Sequence, residues 1–140
     1  MRFIVFFVFL SLYSMSYAVD SKDEMEKEIL YLLDYLVHSD CEFNRNGKWY
    51  DAYAARQHIN YKYKYLIQKG LINSTEQFIV RAASESSMSG KPYMVKCGDS
   101  EPIKSSIWFK KEFGSLKSSS RHKVLGYGVH IPGNVFPSDL

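Results

Sequence analysis

Residues 1–18 decide how much chain is left to fold and in which compartment it folds. Arg2 supplies a positive n-region, Phe3 to Leu12 an almost unbroken apolar run, and Ser16-Tyr17-Ala18 a small-x-small cleavage site. Together these read as a secretory signal peptide, with cleavage expected after Ala18 and a mature chain beginning at Val19. A retained anchor would need about 20 apolar residues, whereas Ser11, Ser14 and Ser16 interrupt a shorter run. A lipoprotein would carry a cysteine beside the cleavage site, and none is there. A buried core helix would show a polar face, which Phe3 to Leu12 lacks. The expectation is a periplasmic protein with no stable membrane span after cleavage.

Export sets the reading of the two cysteines. Cys41 and Cys97 both lie in the mature part, and an even count in an oxidising compartment most simply forms one disulfide. Closing so long a loop stabilises a small domain by on the order of 4 kcal/mol in the chain-entropy model. A redox or metal role lacks its companions, because there is no C-x-x-C and no second Cys or His at ligand spacing. Loss of Arg2 with the leader leaves 17 of the 18 basic residues against 15 acidic ones, a charge of about +2. Acids lead at Asp23, Glu24, Glu26 and Glu28 and the bases are scattered, so no basic stripe for nucleic acid is present.

One domain, residues 19–114, carries the element patterning. Ser21-Lys22-Asp23-Glu24 has the form of a capping box, and Met25, Ile29, Leu32, Leu33 and Leu36 recur at helical spacing, predicting a helix from about Lys22 to His38. Asn46-Gly47 between aromatic segments predicts a type I′ hairpin over Cys41–Tyr50. A second helix is expected over Asp51–Gln68, with Gly70 to end it. Ser74-Thr75-Glu76-Gln77 opens a third, expected to reach Glu85. The serine-rich stretch from Ser84 to Pro92 reads as a loop leading into a strand at Tyr93–Cys97. The disulfide would bring that strand beside the Phe43 segment. A short last helix is expected over Ser105–Phe113. Beyond it, the tail 115–140 begins as a polar linker at 118–123, and Leu125, Tyr127, Val129 and Ile131 alternate weakly as a strand. The fold class is α+β, with three to four helices packed on a small antiparallel sheet and one disulfide.

No catalytic constellation is complete. Ser-x-x-Lys ahead of Lys91 would need serine where Met88 stands, and a phosphate loop ending in Gly90-Lys91 would need glycine where Glu85 stands and a hydroxyl where Pro92 stands. His58 has no second histidine four residues away, so a satisfied half-core residue competes with a base or ligand role. Trp49, Tyr50, Tyr53, Tyr61, Tyr63 and Tyr65, interleaved with Arg56, Lys62 and Lys64, form either a stacking surface for a sugar or peptide or, in part, the core.

Several ordered motifs carry a family resemblance. Phe43-x-Arg45-Asn46-Gly47-x-x-Tyr50 is followed by Ala54-x-x-x-His58-Ile59-x-x-Lys62, then Ser74-Thr75-Glu76-Gln77-Phe78-Ile79, then Ala83-Ser84-x-Ser86-Ser87-x-Ser89-Gly90-Lys91-Pro92-Tyr93-x-Val95. Over roughly Ile29 to Phe113 the chain resembles the YfeK-like DUF5329 family of small exported bacterial proteins. The resemblance implies a Gram-negative periplasmic protein and brings no activity, cofactor, metal or catalytic residue. It does mark Arg45, Asn46, Tyr50, His58, Lys62, Ser86, Ser87, Lys91 and Tyr93 as polar or amphipathic residues inside the signature, the candidates for a binding surface. The plainer reading gives Asn46 a turn role, Lys91-Pro92 a strand start, and Arg45 an ion pair with Glu76 or Glu85.

The expected function is therefore a non-catalytic binding or envelope-interaction module whose partner is a periplasmic protein or an envelope ligand, with no cofactor. Two alternatives stand beside it: a small envelope-polymer hydrolase using His58 and a serine from Ser84 to Ser89, and an inhibitor or immunity-type protein.

Overall fold

The structure, a computed structural model, describes residues 21–126. The leader, its cleavage site and residues 127–140 of the tail lie outside the described residues, as does most of the strand expected at 125–131. Helix α1 spans residues 21–37, close to the expected limits, and buries Met25, Ile29, Leu32, Leu33 and Leu36. Each such side chain contributes about 1.5–3 kcal/mol when fully withdrawn from water.

The hairpin forms as its turn chemistry dictates. Strands β1 (Cys41–Arg45) and β2 (Lys48–Tyr50) pair antiparallel with Arg45 opposite Lys48. Asn46 and Gly47 sit at φ of 52° and 86°, the left-handed values that a two-residue type I′ turn requires. Asn44 Oδ1 fixes the turn by accepting from the Gly47 N–H at 3.0 Å.

Helix α2 (Ala52–Gln68) starts where Asp51 Oδ1 accepts from the Ala54 N–H at 2.7 Å, and the chain leaves it at Gly70, φ 68°. Helix α3 (Thr75–Arg81) opens with a capping box: Ser74 Oγ accepts from the Gln77 N–H, and Gln77 Oε1 accepts from the Asn73 N–H at 2.8 Å. It ends four residues before the expected Glu85. The Ser84 hydroxyl donates to the Ile79 carbonyl and so takes up an acceptor that further helix would have used.

Strand β3 (Met94–Cys97) pairs antiparallel with β1, and the Cys41–Cys97 disulfide closes the pair at positions directly opposite each other. A two-residue strand, β4 (Ile103–Lys104), adds a fourth member that the sequence pattern did not suggest. The sheet order is β2-β1-β3-β4, antiparallel throughout. Helix α4 (Ser105–Gly126) starts with the Ser105 hydroxyl donating to Ala83 O and buries Trp108, Phe109 and Phe113. Edge-to-face rings join these to the other layers: Trp108 with Phe43 at 5.5 Å between centroids, and Phe109 with Phe78 at 6.3 Å.

The largest departure from expectation is the length of α4, which runs through Gly114 and the serine stretch read as a linker. A mid-helix glycine costs about 1 kcal/mol. Against that, Ser115, Ser118 and Ser120 donate to carbonyls one turn back, and Lys117 reaches Glu24 and Glu28 on α1. No helix among the described residues is long and apolar enough to cross a membrane.

Candidate functional site

Three separate parts of the chain meet at the turn end of the β1–β2 hairpin. The first is the hairpin itself, which delivers Arg45, Asn46, Lys48 and Tyr50. The second is α2, on which His58 and Lys62 lie one turn apart and so share a face. The third is the segment 84–93, folded back on itself by an isolated bridge between Glu85 and Pro92 and by Ser86 N–H donating to Lys91 O at 3.0 Å. Tyr93 follows at the threshold of β3 with 5% of its surface exposed.

A directional chain of hydrogen bonds runs through the site. A guanidinium can only donate, so Arg45 Nη1–H donates to His58 Nδ1, 2.5 Å away, and that nitrogen carries no proton. The imidazole is therefore the neutral Nε2–H tautomer, and Nε2–H donates to the Tyr93 hydroxyl at 3.0 Å. Arg45 Nη2–H also reaches the Tyr50 hydroxyl at 3.4 Å, and its Cζ lies 5.1 Å from the centre of that ring.

The electrostatics agree with this assignment. Burial lowers the His58 pKa from its usual 6.5, and the charges of Arg45 and Lys62 lower it further. Burial raises the Tyr93 phenol, against a smaller opposing pull from Arg45. Tyr50 moves down because Arg45 donates to its oxygen. Lys62 is 9% exposed, and its ammonium donates to the Glu85 carbonyl at 2.5 Å and stands 5.6 Å from the centre of the Tyr93 ring. Burial lowers its pKa, with the exposed Glu85 carboxylate a smaller opposing influence.

These groups border two adjoining depressions. A small one of about 100 Å³ has apolar walls from Phe43, Ala54, Ala55 and Ile59. A wider one of about 630 Å³ is flanked by Lys48, Tyr61, Lys62 and Tyr65 on one side and by Ser86, Ser87 and Met88 on the other. Arg45, Tyr50, His58 and Tyr93 line both, and among the described residues no Asp or Glu lines either.

Eight of the nine residues singled out in the sequence thus meet in one cleft: Arg45, Asn46, Tyr50, His58, Lys62, Ser86, Ser87 and Tyr93. Lys91 does not, since its side chain is exposed and lines neither depression. Asn46 has more than a turn role: Asn46 Nδ2 donates to Ser86 Oγ at 3.4 Å, and its Oδ1 accepts from Ser89 Oγ at 2.6 Å, tying the hairpin tip to the serine loop. Arg45 is bonded to His58 and Tyr50 rather than to Glu76 or Glu85.

The aromatic set divides. Tyr50, Tyr61 and Tyr65 line the cleft, whereas Tyr63 packs edge-on against Phe78 at 5.4 Å as part of the core. Lys48, Met88 and the apolar walls were not picked out from the sequence. Lys48 was recoverable, because a two-residue turn places it directly opposite Arg45.

A serine–histidine pair is not formed. His58 is engaged at both ring nitrogens, the Ser84 hydroxyl bonds Ile79 O, and the Ser86 hydroxyl meets Asn46 and the Ser89 N–H. Among the described residues no cluster of His, Cys, Asp and Glu is arranged to hold a metal ion.

Comparison with known proteins gives one match. The sequence model of a family of unknown function, DUF5329, matches residues 23–117, and the chain belongs to that family. Nothing matches among curated proteins or solved structures.

Proposed function

We propose that this member of the DUF5329 family is an exported, non-catalytic binding module of the bacterial envelope, and that the cleft between hairpin, α2 and serine loop is its contact surface. One observation carries the reading. The cleft presents several tyrosines beside Arg45 and Lys62, whose hydrogen bonds go to neutral groups, while its histidine is held neutral by Arg45 and Tyr93 with no serine hydroxyl paired to it. Fixed donors and rings without an activated nucleophile suit recognition and lack what acyl transfer requires. The leader pattern and the Cys41–Cys97 bond support export, because structural disulfides persist in oxidising compartments.

The test is affinity capture from an envelope fraction with the mature, oxidised protein, running Arg45→Ala and Lys91→Ala in parallel. The expected result is a partner lost with Arg45→Ala and kept with Lys91→Ala. A partner kept by both variants would move the contact surface away from the cleft. Turnover of an envelope polymer that His58→Ala abolishes would overturn the non-catalytic reading.

A further inference from the structure

The charge balance of the cleft says what kind of group it takes. Among the described residues three cations border the wider depression, Arg45, Lys48 and Lys62, and no carboxylate lines it. Lys62 is nearly buried with a backbone carbonyl as its hydrogen-bond acceptor, and the Glu85 carboxylate acts on it only as a smaller influence than burial. A buried charge with no hydrogen-bonded counter-charge is costly, and an arriving anion offsets that cost. Arg45 spends two N–H groups on His58 and Tyr50 and keeps the rest. The Tyr93 hydroxyl accepts from His58, which leaves its own proton free for a donor role. Beyond these donors the smaller depression continues as an apolar recess walled by Phe43, Ala54, Ala55 and Ile59.

We infer that the cleft recognises an amphipathic anion: a carboxylate or phosphate head held by Arg45, Lys62 and the Tyr93 hydroxyl, joined to a short apolar or aromatic body in the recess beside Phe43. This rests on the binding reading above and names the chemistry of that site. His58 serves as the neutral spacer between the two cations. Burial and the charges of Arg45 and Lys62 already disfavour its protonation. An anion between those cations offsets that repulsion and raises the His58 pKa. The charged and titratable groups that share the cleft with that ring are Arg45 from β1, Lys48 and Tyr50 from β2, Lys62, Tyr61 and Tyr65 from α2, and Tyr93, while Glu85 from the loop acts on Lys62 and Tyr93.

The experiment is an NMR titration of the mature protein with four probes: phenyl phosphate, benzoate, inorganic phosphate and benzyl alcohol. Phenyl phosphate or benzoate is expected to saturate shifts at His58, Lys62 and Tyr93 and to raise the His58 pKa. Inorganic phosphate, lacking the body, and benzyl alcohol, lacking the charge, are each expected to bind about tenfold more weakly or worse. Lys62→Met and Lys48→Met separate the deep cation from the rim one. The first should weaken the organic anions about tenfold or more, and the second by much less, because exposed charges are screened. Benzyl alcohol binding as tightly as phenyl phosphate would overturn the inference, as would unchanged anion binding in a folded Lys62→Met. Failure of both organic anions to bind, alongside an envelope partner that still depends on Arg45, would overturn the anion inference and leave the binding reading standing. Anion binding with nothing captured would support the inference and remove the macromolecular partner.

Discussion

Two lysines, one on α2 and one on α4, show how differently the same side chain is used. Lys117 on α4 lies between Glu28 at 2.7 Å and Glu24 at 3.1 Å, and its pKa is raised because both carboxylates accept from it. Around it the α1–α4 seam is tied by further hydrogen bonds: Glu28 also accepts from Thr75 at 2.5 Å, and Glu112 accepts from Tyr31 at 2.6 Å, pushing that phenol up to about 12. Lys62 on α2 is more deeply placed, donates to a carbonyl, and has its pKa lowered by burial. A seam whose lysine is bonded to two carboxylates is a joint. A cleft in which cations meet only neutral groups is unfinished as a structure and suited to complete itself with something else.

The sharpest break of that comparison is at Glu28, whose side chain is 11% exposed. Glu28→Ala strips the Thr75 hydroxyl, on a residue 1% exposed, of its acceptor and removes one of the two carboxylates from Lys117. Stability in urea should fall by about 2 kcal/mol, the cost of stranding a buried hydroxyl together with a charge-assisted bond.

Lys62→Met should behave in the opposite sense. It keeps the length of the side chain and removes the buried charge, so stability without ligand should hold or rise by about 1 kcal/mol despite the lost bond to Glu85 O. The sign also appears in pH dependence. The folded-state pKa of Lys62 lies below 10.5, so its charge burdens the fold at neutral pH. That burden lifts as pH rises from the lowered value through 10.5. Lys117 lies above 10.5, and its stabilisation is present below 10.5 and lost as pH climbs through its raised value. The gap between wild type and Lys62→Met in urea melts should therefore narrow in alkali. A Lys62→Met protein clearly less stable than wild type would place Lys62 with the structural lysines.

The smallest expected effect is at His58. Its imidazole resonances should titrate below 6.5, and Arg45→Met should move the inflection only part of the way back, because burial is the larger cause and Arg45 the second. As pH falls from 6.5 through the lowered value, the unfolded chain takes up the proton first and stability declines. An inflection above 6.5 would mean that the ring is protonated in the fold and would reverse the hydrogen-bond directions drawn here.

Much of the scaffold was legible in the residues. Asn46-Gly47 specified the hairpin and its register, and Ser74 with Gln77 specified the start of α3. The apolar spacing from Met25 to Leu36 specified the face of α1, and the cysteine pair specified which strand lies beside β1. Helix ends were less legible. Whether α3 continues past Arg81 turns on one serine hydroxyl, and whether α4 continues past Gly114 turns on a partner helix far away in sequence.

The candidate site divides along the same line. That Arg45, His58, Ser86 and Tyr93 are candidates for one surface came from their shared family signature. Which of them touch did not, and Lys91, in the same signature, lines neither depression.

The sequence by itself determined the turns, the caps, the buried faces, the disulfide and the α+β class, because each depends on groups within a few residues of one another or on one covalent bond. Tertiary structure alone decided that Arg45 meets His58 across 13 residues, that His58 meets Tyr93 across 35, and that Lys117 meets Glu24 across 93. Those meetings depend on how α2 and α4 lie against the other elements. That packing is set by the sum of many weak apolar contacts rather than by any local pattern.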